Sequence, residues 1–371
     1  MKYSMPRGMR SFCFIPGAIA MLMVLLASPA RTQAVLGFGD DATTVPAGTI
    51  RLGFLNGWTR FDQRFTAPDG GYIDANSRVR RTPVFLEMGV MRGLALGVMV
   101  PSVGTSVVAT YFPALASPGH ADSVRFSGQS AIGDVESWAK FTWLGASSEQ
   151  ERTQPQGIHL RSAVVALARL GTGSPPHASR QLTLGTDDGQ TDIEIESQWD
   201  VIIGPRFWVS AVGRYVHQLP VTRVTRIAPR DDPFTPPVLV NTRIEPGDYY
   251  EIEATPRLSL GNHFLVGAQY NHRRDNASTF RQSGEPSTPG APDDPSVLDV
   301  ASSSSTRLGF GVVYSSVASY VAGRTRRPFE VSLQYFTLDR WSDGVPPAML
   351  AGGDRSTVEV GLRYYVALWR P

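Results

Sequence analysis

Four carboxylates, Asp192, Glu194, Glu196 and Asp200, fall on alternate positions of one short stretch, and Ile193, Ile195, Trp199, Val201 and Ile203 occupy the other set. Side groups with a period of two share a face only in an extended strand. The acids therefore form a column on one side and the apolar residues on the other. Nearby stretches carry charge on the matching positions: His159, Arg161 and Arg169 before it, Arg206 and Arg214 after it, then Glu251, Glu253 and Arg257, with Asp134, Glu136 and Lys140 upstream. Such columns can do two things. Guanidinium and carboxylate groups can pair across strands, each pair contributing roughly 0.2–1 kcal/mol, or they can line a wet passage and select solutes by charge. The spacing allows both.

Reaction chemistry is not indicated. The pair His177 and Ser179 follows Pro175-Pro176 in a loop, whereas a nucleophile and its base must be held rigidly with an orienting partner. The histidines show no metal-ligand spacing. Asp231-Asp232 and Asp293-Asp294 sit among prolines and read as solvated loop residues. Neither a catalytic residue, a metal site nor a cofactor is expected.

The same alternation recurs along the chain and predicts twelve strands: Gly48 to Phe61, Val79 to Met91, Leu94 to Thr110, Ala131 to Leu144, Ile158 to Leu170, Thr191 to Ile203, Phe207 to Val221, Tyr249 to Leu260, His263 to Arg273, Ser305 to Ser316, Phe329 to Leu338 and Ser356 to Trp369. It also turns Arg51, Glu87, Arg273, Arg307, Glu330, Glu359 and Arg363 to the charged side. Short connections such as Arg92-Gly93, Gly204-Pro205 and Gly261-Asn262 alternate with longer ones rich in Pro, Gly, Asp and Ser. A soluble sandwich or propeller also uses short alternating strands. It would leave the stripe Val358, Val360, Leu362, Tyr364, Val366 and Leu368 wet, whereas a lipid-facing wall requires such a stripe. Aromatic residues near strand ends, among them Trp58, Trp143, Phe207, Phe264, Tyr314 and Phe329, suit the membrane interfaces.

The first residues read as an export signal: Lys2, Arg7 and Arg10, then the apolar run Phe12 to Leu26, then small residues up to Ala34. Cys13, the single cysteine, lies inside it, so residues 35–371 have no thiol for a disulfide, a nucleophile or a metal. Removing Lys2, Arg7, Arg10 and Arg31 leaves 31 of the 35 basic residues against 33 acidic ones, which excludes nucleic-acid binding by charge.

Val360 to Trp369 resembles the C-terminal amphipathic strand of bacterial outer-membrane proteins, which implies recognition by barrel-assembly machinery. Ala131-Ile132-Gly133-Asp134-Val135-Glu136-Ser137-Trp138-Ala139-Lys140 resembles the Gly-Asp-rich strand of the outer-membrane family named for the phenol-degradation (MetA) pathway. Arg169-Leu170-Gly171-Thr172-Gly173-Ser174-Pro175 resembles that family's Gly-x-Gly strand end. This second resemblance touches the middle third of the chain and implies a passive channel or porin-like transporter for hydrophobic compounds.

The expectation is an all-β transmembrane antiparallel barrel of about twelve strands in a bacterial outer membrane. Residues 1–34 form a signal peptide handled by the export machinery, 35–47 a periplasmic segment and 48–371 the barrel. The barrel acts as a passive channel for a small solute, and its partners are outer-membrane lipid and that solute. The alternative is a non-conducting barrel in which the loops Thr222 to Asp248 and Arg274 to Ser304 fold inward as a plug or serve as an outward binding surface.

Overall fold

The alternation of charge and oil in the chain is resolved by closing the strands into a ring with one face inside and one outside. The computed structural model describes residues 40–66, 71–112, 122–145, 157–175, 186, 189–204, 206–227, 238–284, 294–321, 323–342 and 355–368. Residues 1–34, expected as a signal peptide, and Trp369, His177, Ser179, Asp231-Asp232 and Asp293 lie outside the described residues.

The strands are β1 Thr49–Thr66, β2 Tyr72–Met91, β3 Leu94–Phe112, β4 Asp122–Ile132, β5 Val135–Leu144, β6 Ile158–Leu170, β7 Asp192–Ile203, β8 Phe207–Gln218, β9 Val221–Ile227, β10 Val238–Glu245, β11 Tyr249–Leu260, β12 Phe264–Asp275, β13 Thr279–Gln282, β14 Ser303–Ser315, β15 Phe329–Ser342 and β16 Arg355–Ala367. Twelve of them form the wall, in the order β2-β1-β16-β15-β14-β12-β11-β8-β7-β6-β5-β3, and pairing of β3 with β2 closes it. All these pairings are antiparallel, from Thr49 opposite Ala367 at the seam of first and last wall strands to Glu87 opposite Gly97 at the closure. Closure leaves no edge strand among these twelve, and a wall in oil needs that, because lipid offers no partner to a free N–H or C=O. Among the described residues no helix is long and apolar enough to cross a membrane.

Burial separates the two faces cleanly. On β7, Glu194 and Glu196 are 6% and 7% exposed while Ile195 between them is 57% exposed. The outward set on other strands includes Phe54, Leu86, Leu96, Leu160, Phe310 and Leu362, an apolar surface that only a bilayer would cover. Trp143 and Trp199 meet edge-on at 5.7 Å, and Tyr314 lies 5.4 Å from Phe264 and 5.8 Å from Phe329, near the end of the barrel that carries the short turns. Rings with a polar edge are comfortable at that depth.

Several strands run beyond their expected bounds, among them β1 to Thr66 and β2 from Tyr72, and two expected strands break for local reasons. The stretch 131–144 breaks into β4 and β5 at Gly133-Asp134, because the loop after β6 takes over the pairing. Thr172 Oγ1 donates to the Gly133 carbonyl at 2.9 Å and accepts from Val135 N at 3.0 Å, and Asp134 Oδ1 accepts from Gly173 N at 2.7 Å. The strand predicted over 207–221 stops at Gln218, since Pro220 has no N–H to donate, and resumes as β9. Beyond the rim, β9, β10 and β13 form a separate three-stranded sheet.

Candidate functional site

Inside the ring lies a cavity of about 580 Å³ to which all twelve wall strands contribute side chains. Its lining holds eight carboxylates and eight basic groups. The signs are unevenly placed. Glu194 and Glu196 on β7 and Glu251 and Glu253 on β11 crowd one wall around Arg214 of β8. Arg51, Arg81, Arg307 and Arg363 lie on β1, β2, β14 and β16, across the ring. Phe85, Trp138, Tyr249 and Phe336 add ring surface. Phe85, Trp138 and Phe336 lie over Gly53, Gly97 and Gly309 of the neighbouring strands, where any Cβ would collide with the ring.

Arg214 organises the acidic wall. Its Nε donates to Glu196 at 2.7 Å and lies 3.7 Å from Glu194, and its other nitrogens reach Glu251, Glu253 and Asp40. Further round, Glu136 lies 3.3 Å from both Arg81 and Arg169, and Arg169 bonds Asp192 at 3.0 Å. Arg51 pairs with Glu87. Burial makes these bonds stronger than surface ion pairs, and it makes a lost partner costly.

Across the ring runs the N-terminal segment, which the sequence reading placed in the periplasm. Of residues 35–47 the structure describes 40–47, and Asp41 to Val45 are each under 8% exposed. The segment enters beside β2, where Ala47 bridges Gly89 and Gly48 N donates to the Gly89 carbonyl at 2.9 Å. It then meets β5, through Lys140 donating to the Asp41 carbonyl and Thr142 to that of Ala42, and β7, through Ala42 N donating to Asp200 at 3.2 Å. On β11, Asp40 N donates to Glu253 at 3.1 Å and Arg257 donates to the Asp40 carbonyl at 3.0 Å. β2 and β11 face each other across the wall order, so the segment spans the lumen. Charged wall residues supply the hydrogen bonds that a strand without a ladder partner lacks.

The predicted charges thus separate by place. Glu136, Lys140, Arg169, Glu194, Glu196, Arg214, Glu251 and Glu253 border the cavity. Arg161 and Asp200 form a pair, Nε to Oδ2 2.8 Å, 1% exposed each, and Arg257 donates to Ser210, which in turn donates to Asp200 at 2.6 Å. Asp192 backs Arg169, and Asp134 caps the β4–β5 break. Two expectations need correction. His159, the second residue of β6, is exposed and does not border the cavity, and Arg206 belongs to the turn before β8, where its carbonyl accepts from Ser259 N at 2.7 Å. His159 keeps the parity of Arg161 and pairs with Ile202 but stands at the end of the strand, short of the cavity, whereas Arg206 lies in the turn, where the pleat is lost. Of the lining groups not singled out from the sequence, Arg81 shares the parity of Glu87, Trp138 that of Glu136 and Lys140, and Tyr249 that of Glu251 and Glu253, which was the available signal.

At Gly89 an added Cβ would overlap the carbonyls of Val45 and Pro46. Gly89→Val is expected to lift the N-terminal segment from the wall while leaving the ring closed. Hydrogen exchange of the Ala42 and Thr43 amides should accelerate; unchanged protection would show that the segment is held without this contact.

No protein-family model and no curated protein matches the chain. Among solved structures it is similar to an outer membrane channel from Pseudomonas putida F1, with a TM-score of 0.50 and 12% identity over 89% of this chain and 99% of that one. Others are the transport unit of the autotransporter AIDA-I from Escherichia coli, TM-score 0.42, 10% identity, covering 94% and 97%, and a deltaS2 mutant of the TodX monoaromatic hydrocarbon channel, TM-score 0.41, 9% identity, covering 91% and 93%. The chain has the fold of an outer-membrane β-barrel, with twelve wall strands.

Proposed function

We propose that the barrel is a passive outer-membrane channel for a small solute, its lumen crossed by its own N-terminal segment. The observation that carries this reading is the cavity of about 580 Å³ lined from every wall strand by balanced charge. A wall serving only as structure gains nothing from Glu194, Glu196, Glu251 and Glu253 crowded on one side and arginines on the other. A passage does gain, because opposed columns set up a transverse field that orients a polar or zwitterionic solute. The rings of Phe85, Trp138 and Phe336 beside those charges suit a solute with an apolar or aromatic body and a polar end.

The second reading, a non-conducting barrel, rests on the N-terminal segment. The loops first considered as plugs do not support it: no described residue of 222–248 or 274–304 lines the cavity, and β9, β10 and β13 pair with one another outside the ring.

Purified protein in a planar bilayer is expected to give discrete current steps. Replacing Glu194 and Glu196 together by glutamine should shift selectivity toward anions, since the wall loses two negative charges while Arg214 and Arg169 remain. Reversal potential in a salt gradient measures this directly. An unchanged value in the presence of current would show that ions do not pass these side chains.

A further inference from the structure

The outer wall carries a second concavity, of about 510 Å³, bordered by Trp58, Arg60, Arg78 and Arg80 and floored by Gly104, Ser106, Ser130 and Ser356. These side chains share the parity of Phe54, Val84 and Leu86, which are 41%, 55% and 39% exposed on the lipid side of the same strands. The groove therefore lies outside the barrel, and the small floor residues are what leave it open.

Its depth follows from strand length. A tilted strand crosses the hydrocarbon in about 9–11 residues, and Ile50 to Arg60 on β1 and Val90 to Arg80 on β2 each occupy that span from the end with the short turns. The three arginines consequently sit at the far interface, in the headgroups of the outer leaflet. Trp58 marks the same level from below. The opposite side of the ring is different at this height: Tyr215 and Tyr250 pack at 5.1 Å and Tyr215 donates to Asp248.

The register puts Arg60 directly opposite Arg78 and Trp58 opposite Arg80. Each guanidinium carries five N–H donors, more than one partner uses, so an anion laid over the two can bridge them. Arg80 is oriented by Nε donating to Asn56 Oδ1 at 3.1 Å, with its guanidinium 6.0 Å from the centre of the Trp58 ring. On β2 the outward carboxylate Asp74 lies four residues beyond Arg78 and does not border the groove. Planar guanidiniums accept phosphate oxygens two at a time, and at this depth the anions present are lipid phosphates.

We propose that this groove binds the phosphorylated headgroup of an outer-leaflet glycolipid. Arg60, Arg78 and Arg80 hold the phosphate, Trp58 packs on the start of an acyl chain, and Ser106, Ser130 and Ser356 face the sugar or ester oxygens.

The test uses the full chain in phosphatidylcholine nanodiscs containing bis-phosphorylated lipid A or its dephosphorylated form, with bound lipid read by native mass spectrometry. The expected result is retention of the phosphorylated form alone, about ten-fold weaker in R60Q/R78Q/R80Q and unchanged in R243Q/R281Q, which removes arginines from the sheet beyond the rim. Millimolar inorganic phosphate should not displace the lipid. Equal retention by wild type and the triple variant, equal retention of the dephosphorylated lipid, or full displacement by inorganic phosphate would each overturn the assignment. Heat-dependent gel mobility verifies that the variants are folded; should the triple variant fail that check, R78Q alone is read against wild type by the same criteria.

Discussion

Asp200→Asn is expected to cost about 3–5 kcal/mol of barrel stability, the range for stripping the partner from a buried charge. Among the described residues Arg161 pairs with Asp200, and both are 1% exposed among wall residues and the N-terminal segment. The same carboxylate accepts from Ser210 at 2.6 Å and from Ala42 N at 3.2 Å, so it joins β6, β7 and β8 to the segment in the lumen. An amide keeps the shape and loses the charge. The guanidinium of Arg161 is then left in a space that cannot hydrate it. Removing both charges is a different matter: Arg161→Met with Asp200→Leu trades an ion pair for apolar volume, and such exchanges run close to neutral. Urea unfolding of the protein in detergent, followed by tryptophan fluorescence, should place the single variant well below wild type and the double variant near it. Equal midpoints for Asp200→Asn and wild type would mean that water reaches the pair.

What the chain discloses in advance depends on how local the cause is. Glu194 and Ile195 differ in exposure because one wall separates water from lipid, and that difference repeats at every second residue, so strand, face and barrel are all written in a window of ten residues. Twelve wall strands and alternating short and long connections follow from the same signal. The break at Gly133-Asp134 is less visible, because its cause, Thr172 and Gly173, lies 39 residues away. The N-terminal segment is not visible at all. Asp41 to Val45 have no period, and their partners are far along the chain, Lys140 at a separation of 99 residues and Asp200 at 158. A short polar stretch reads as a linker when nothing local marks it as buried. Only the ring itself, once closed, shows that its inward charges have backbone groups to hold.

Removing Asp40 to Val45 is expected to raise single-channel conductance several-fold. Three things place the segment in the path of a solute: it runs from Gly89 on β2 to Glu253 and Arg257 on β11, its residues Asp41 to Val45 are buried, and it is hydrogen-bonded to the charged wall at Lys140, Thr142 and Asp200. Its deletion exposes groups that hydrate readily, so the ring should still close, with twelve strands paired as before. Arg214→Gln offers a milder version of the same change. It removes the guanidinium that holds Asp40 and leaves Glu196, Glu251 and Glu253 to repel one another, which should loosen that end of the segment and favour cations in the passage. Planar-bilayer recordings on wild type, Arg214→Gln and the deletion give the order: lowest conductance in wild type, highest in the deletion. If the deletion conducts no better than wild type, the segment does not limit the passage. If neither passes current, the charged lumen is a wall and not a route, and the non-conducting reading replaces the channel.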